Sequence, residues 1–217
     1  NSYMSLHCRI VGLPNVGKSS LFNALSNAGA EAANFPFCTI DPNVGLVPVP
    51  DERLYKVHEL TGSPKVTPTT IEFLDIAGLV KGASEGKGKG NAFLSHIRQV
   101  DLIIHVVRCF DDDNVIHVEG SLDPMRDISI IEDELILKDL ESVEKREESL
   151  EKASKSNDKE VLFQLEVVRR LRSHLEEGET ARSFEADEKE REAFSDLFLL
   201  SKKPVLYACN VSEEDLS

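Results

Sequence analysis

Residues 12–19 read Gly12-Leu13-Pro14-Asn15-Val16-Gly17-Lys18-Ser19. The stretch matches GxxxxGK[ST] at every fixed position. Before it, Leu6-His7-Cys8-Arg9-Ile10-Val11 is short and mostly apolar, which suits a buried strand. After it, Leu21, Phe22, Ala24, Leu25 and Ala28 recur at helical spacing over 18–28. Strand, glycine loop and helix in that order form a phosphate cradle. Glycines let the backbone wrap a phosphate chain without Cβ clashes. Successive N–H groups and the helix N-terminus then face the negative charge. The expected nucleotide contacts here are Asn15, Val16, Gly17, Lys18, Ser19 and Ser20. The Lys18 ammonium reaches the β- and γ-phosphates, and the Ser19 hydroxyl ligates Mg²⁺. Asn15 has two readings, a loop cap or a ligand for K⁺ beside the phosphates.

Further strands are expected at 70–75, 102–107 and 204–209, and helices at about 51–61 and 90–99. The run Leu102-Ile103-Ile104-His105-Val106-Val107 is apolar and largely β-branched, as a central strand requires. His105 within it reads as a satisfied core histidine. Alternating strands and helices predict an α/β fold, a P-loop NTPase core whose mostly parallel sheet carries helices on both faces.

From about 127 to 200 the composition changes. The stretch holds one glycine, Gly178, no proline, and dense Glu, Lys, Arg and Leu. Ile136, Leu140, Val143 and Leu150 fall at a/d-like spacing, interrupted by Glu147. Val161, Leu165, Val168 and Leu175 repeat it, interrupted by Arg172. Two antiparallel helices joined at Ser154-Lys155-Ser156-Asn157-Asp158 and projecting from the core are expected. They read either as a solvated hairpin held by its own seam or as a docking arm for a partner. The domains are then 1–126 with 201–217 for nucleotide binding, and 127–200 for the inserted hairpin.

Net charge is −14 over 217 residues, which argues against a broad grip on naked nucleic acid. A ribonucleoprotein touched through a small basic patch stays open. No stretch approaches the ~20 apolar residues of a membrane span, and no signal segment opens the chain. Cys8, Cys38, Cys109 and Cys209 are scattered and read as reduced thiols.

Asp75-Ile76-Ala77-Gly78 ends the second expected strand in the form DxxG, about 55 residues after the cradle. Asp75 is expected to hold a Mg²⁺-bound water, and the Gly78 N–H to sense the γ-phosphate. Thr39, in Phe35-Pro36-Phe37-Cys38-Thr39-Ile40, can close over the nucleotide and ligate Mg²⁺. The guanine-reading motif NKxD is absent, and its place holds Asn210-Val211-Ser212-Glu213. Glu213 is one methylene too long for the bidentate guanine contact, and Val211 lacks the usual lysine stem. Adenine presents an amino donor and a ring acceptor, which Asn210 and nearby backbone could serve. ATP over GTP follows, with Asn210, Val211 and Glu213 at the base. The alternative is that Asn210 merely ties its loop to the cradle.

The set GLPNVGKS (12–19), NFPFCTIDPNVG (34–45), DIAGLVKGAS (75–84), HVVRCF (105–110) and NVSE (210–213) resembles the YchF-type, Obg-related P-loop ATPases. The resemblance implies an ATP-preferring member of the translation-factor-related GTPase class, cytoplasmic and ribosome-associated. It implies a further β-rich TGS domain and a last core strand, so the chain reads as a fragment ending at Ser217. One departure is Lys89 in Gly86-Lys87-Gly88-Lys89-Gly90-Asn91, where leucine is usual.

Ras-like enzymes place a glutamine directly after DxxG to orient the attacking water. Here that residue is Leu79, so another group or a partner must act. His117, in Asn114-Val115-Ile116-His117-Val118-Glu119-Gly120, is the candidate, since a neutral imidazole can orient water or relay a proton. The other reading is a surface histidine. The expected catalytic set is His117, Lys18 and Thr39, and the expected metal ligands are Ser19, Thr39 and Asp75. The expected protein is a monomeric, slow Mg²⁺-dependent ATP hydrolase acting as a switch. A nucleotide-gated interaction module and a GTPase with a degenerate base motif are the alternatives.

Overall fold

A computed structural model describes residues 6–32, 44–74, 101–111, 116, 117 and 119–216. The chain divides into two compact units.

The first unit holds a five-stranded sheet. Its strands are β1 (Leu6–Val11), β2 (Val44–Pro48), β3 (Thr70–Leu74), β4 (Leu102–Arg108) and β5 (Val205–Asn210), in spatial order β2-β3-β1-β4-β5. β1 pairs in parallel with β3 and β4, and β4 with β5; β2 runs antiparallel to β3. The sheet is therefore mostly parallel. Of β4, every residue from Ile103 to Arg108 is buried, as befits a strand covered on both faces. β5 ends the sheet and is half exposed. Ile10, Ile103 and Val107 are at most 1% exposed. Each such side chain contributes on the order of 1.5–3 kcal/mol by burial. His105 is buried as expected, its ring 5.7 Å from that of Tyr207.

Sequence reading did not find β2. Its five residues include Gly45 and end in Pro48, both weak strand formers. An edge position tolerates them, because a proline there forfeits no interior ladder bond. Helix α1 (Lys18–Ala32) packs on β1 and β2. Helix α2 (Glu52–Thr61) forms where expected, between the Asp51 cap and Gly62 at φ 58. It buries no residue, so it does not act as a covering layer. The helix expected at 90–99 lies outside the described residues.

The second unit, over described residues 121–204, is built on α3 (Pro124–Ala153) and α4 (Lys159–Glu176). α3 starts at Pro124, three residues before the composition change, with Asp123 accepting from Arg126 N. Between the helices Asn157 turns the chain at φ 56, and Asp158 caps α4. Ile136, Val143, Leu150, Leu165, Val168 and Leu175 are buried, matching the a/d reading. Val167 and Leu171 are also buried, because Ala181, Ala193, Phe194 and Leu199 from the returning segment join the same core. A third layer widens the apolar stripe beyond a two-helix seam.

The two seam interruptions answer each other. Glu147 Oε2 lies 3.1 Å from Arg172 Nη1, and its Oε1 lies 3.0 Å from Arg169 Nε. Burial alone pushes the Glu147 carboxyl up; hydrogen bonds from Arg169 and Arg172 outweigh it and hold the group below the usual range. Asp139 is fully buried and accepts from Leu200 N, Ser201 N and Ser201 Oγ, each at 2.7 Å. Ser201 Oγ in turn accepts from Ala181 N at 2.9 Å. This network ties the returning segment to α3. Among the described residues, no helix is long and apolar enough to cross a membrane.

Candidate functional site

β1 has β3 on one side and β4 on the other. The chain order reverses there, and open α/β sheets place ligands beyond such a point, at the carboxyl ends of the strands. The loop 12–17 leaves β1 at that edge and feeds α1.

The loop is held tightly from below. Leu13 and Val16 are buried at 3% and 2% exposure, which fixes the loop to the core. Gly12 has φ 155, and a Cβ there would meet Val106 O at 2.5 Å. Gly17 has φ 101, and a Cβ there would meet Asn210 Nδ2 at 2.5 Å. Asn15 takes φ 62, a left-handed conformation that asparagine tolerates better than most residues. Lys18 is buried, and its Nζ donates to Leu13 O at 2.7 Å, so the side chain arches back over the loop. α1 begins at Lys18, its first bond being Leu21 N to Gly17 O at 3.0 Å. The N–H groups of that first turn have no partner within the helix. Ser19 and Ser20 are exposed there. A ring of amides, a folded-back ammonium and an exposed hydroxyl on one short loop fit a polyphosphate with its divalent ion. Thr39, Asp75, Gly78, Leu79 and Lys89 lie outside the described residues.

Asn210, the last residue of β5, donates from Nδ2 to Val16 O at 3.0 Å. Its own carbonyl accepts from Cys109 N at 2.7 Å. Of the two roles weighed for Asn210, the geometry displays the tie to the cradle. Val211 is half-buried and Glu213 exposed. Ser212 Oγ donates to Asp215 Oδ2 at 2.6 Å, closing the turn that carries them. Sequence reading missed this brace, although Ser212-Glu213-Glu214-Asp215 has the spacing of a capping box.

His117 is bracketed by hydrogen bonds. Its carbonyl accepts from Gly120 N at 3.0 Å, and its Nδ1 accepts from Glu119 N at 3.0 Å. The carbonyl just before it, Ile116 O, accepts from Asn15 Nδ2 at 3.2 Å. With Nδ1 accepting, the neutral ring carries its proton on Nε2. In that tautomer Nε2–H is the ring's donor. The K⁺ role of Asn15 gains no support here: Nδ2 donates to Ile116 O, and the atom a cation would take is Oδ1. Arg108, also missed from sequence, is buried at the end of β4. It donates from Nε to Phe110 O at 3.0 Å and stacks 4.6 Å above the Phe110 ring, fixing the exit from β4. Cys8, Cys109 and Cys209 are free thiols, and burial followed by the Asp101 charge pushes the Cys8 thiol up.

Comparison with known proteins agrees with this geometry. The family model described as "50S ribosome-binding GTPase" matches residues 7–164. The ribosome-binding ATPase YchF of Bacillus subtilis is 56% identical over 214 residues, covering 99% of this chain and 58% of that protein. Its namesake from Haemophilus influenzae is 51% identical over 211 residues, covering 97% of this chain and 58% of that one. A solved structure of the Schizosaccharomyces pombe YchF GTPase superposes with a TM-score of 0.80 at 45% identity. It spans 98% of this chain and 58% of that one. The chain thus spans about 58% of the length of the relatives it matches. By its matched model and the cradle set at the centre of its sheet, the chain belongs to the 50S ribosome-binding GTPase family, as a member of the YchF type.

Proposed function

We propose that this chain is the switch portion of a Mg²⁺-dependent ATP hydrolase that works on the ribosome in the cytoplasm. The observation that carries the reading is the 12–18 loop, with Gly12 and Gly17 leaving no room for a Cβ and buried Lys18 folded across it. Residues 1–126 with 201–217 form the nucleotide-binding part and 127–200 the helical insertion. Relatives named for ribosome binding support the partner, and the family description points the same way.

The loop amides and Lys18 bind and orient the β- and γ-phosphates. Ser19, Thr39 and Asp75 would hold a Mg²⁺, which when bound would offset the negative charge of the phosphates. Gly78 reports the γ-phosphate through its N–H. Leu79 offers the attacking water no hydrogen bond, so intrinsic turnover is slow. His117 stands in by donating from Nε2–H to water or to a phosphate oxygen. His117→Ala should lower kcat about 10²-fold, the lower end for a positioned proton-handling group, with little change in ATP affinity. Single-turnover kinetics check this, and an unchanged rate removes His117 from the reaction.

Base choice rests on the 210–213 loop. Asn210 Oδ1 can accept from the adenine amino group while its amide nitrogen stays on Val16 O. The relatives' names divide here, ATPase for the bacterial proteins and GTPase for the fission-yeast one. Competition of ATP and GTP against a labelled triphosphate analogue decides. ATP is expected to win by about tenfold or more, a discrimination of ~1.4 kcal/mol. Equal competition overturns the preference. Leu79 also favours a second reading, in which the bound state is the signal and hydrolysis is incidental. An unchanged turnover number on adding ribosomes supports that one.

A further inference from the structure

Asn15 sits at the tip of the cradle in a left-handed conformation, and its side chain does not turn toward its own loop. It reaches a segment 101 residues away, donating from Nδ2 to Ile116 O at 3.2 Å. Ile116 is 77% exposed, so no burial of its own side chain anchors this segment. The next residue is His117. Its Nδ1 takes the Glu119 amide and its carbonyl takes the Gly120 amide. Those two bonds set the ring's orientation within its turn, but both are internal to 117–120. The bond from Asn15 ties this turn to the cradle.

We infer that Asn15 is a positioning residue, a clasp that registers the His117 turn against the phosphate-binding loop. The inference rests on the reading of His117 given above. A misplacement of a positioned group by about 1 Å can cost on the order of 10²-fold in rate, so one hydrogen bond at this joint has leverage out of proportion to its strength. The clasp also has a direction. Phosphates that settle the loop settle Asn15, and through Ile116 O they bring His117 to its working place. Nucleotide affinity itself does not depend on it, because the loop amides and Lys18 supply that.

The decisive experiment is a double-mutant cycle on the full chain. Asn15→Gly removes the amide and accepts φ 62 without strain, and Asn15→Asp keeps the size but replaces the donor by an acceptor. Asn15→Gly should lower kcat about 10-fold to 100-fold with KM for ATP within about twofold, and Asn15→Asp should lower kcat at least as far while its carboxylate beside the phosphates also raises KM. In a His117→Ala background, Asn15→Gly should have no further effect, because the group it positions is gone. Equal falls in both backgrounds would overturn the clasp and show Asn15 acting on the phosphates or on an ion. So would a rise in KM without a fall in kcat, or an unchanged rate in both Asn15 variants. If His117→Ala alone leaves turnover unaltered, the reading of His117 fails first and takes the clasp with it. Repeating the cycle in Na⁺ and K⁺ separates the ion: a rate defect of Asn15→Gly present only in K⁺ also overturns the clasp.

Discussion

Lys18→Ala is expected to lower affinity for ATP by about 10²- to 10³-fold and to take turnover below detection while the fold persists. A hydrogen bond to a charged group contributes about 1.5–3 kcal/mol, and the ammonium addresses two phosphates. Even at the lower value for each, the loss is about 3 kcal/mol, or more than a hundredfold. Lys18 is buried and its Nζ donates to Leu13 O, a neutral acceptor, whereas the phosphates offer it anionic oxygens. Folding should survive, because the substitution removes a charge from the loop and leaves β1, β4 and the Leu13 and Val16 anchors in place. Titration calorimetry with ATP, alongside the far-ultraviolet circular dichroism of the variant, reads both halves.

The largest stability loss is expected from Asp139→Ala in the helical unit. The substitution strands the amides of Leu200 and Ser201 and the Ser201 hydroxyl, all buried and each 2.7 Å from the carboxylate. Each orphaned donor costs about 1–3 kcal/mol, and they relax together, so about 3–5 kcal/mol is expected for the set. For a chain of this size that corresponds to a fall in Tm of roughly 10 °C. Glu132→Ala makes the contrast. Its ion pair with Arg182, at 3.1 Å, is about 30% exposed on both sides and should contribute under about 1 kcal/mol. Urea unfolding followed by helical ellipticity checks both, and comparable losses would contradict the ranking.

The cradle was legible because its constraints are local. GxxxxGK[ST] between a strand and a helix fixes the loop by backbone sterics, so Gly12, Gly17 and Lys18 stand where their spacing put them. The central strands β1 and β4 were legible for the same reason, as continuous apolar runs. β2 was not, since a glycine and a proline in five residues make no strand signal, and its place follows from pairing with β3. In the helical unit the two charged interruptions read as defects in a seam. Their partnership appears only when Glu147 and Arg172 meet across the hairpin. Asp139 gave no signal at all among 39 acidic residues, because its value comes from donors more than sixty positions away. At the site, Asn210 showed the same limit. Its side chain could serve a base or a loop, and only the distance to Val16 O shows the loop. Arg108, the Ser212–Asp215 brace and the Asn15 contact are likewise products of tertiary placement. Ser212–Asp215 alone carried a readable pattern.

The most direct test is amide mapping on a ¹⁵N-labelled chain titrated with ATP and Mg²⁺. The backbone N–H signals of Gly17, Lys18, Ser19 and Ser20 should show the largest shifts, saturate together, and fail to respond in Lys18→Ala at the same concentrations. ATP that moved amides elsewhere while those four stayed in place would contradict the assignment of this loop as the phosphate cradle.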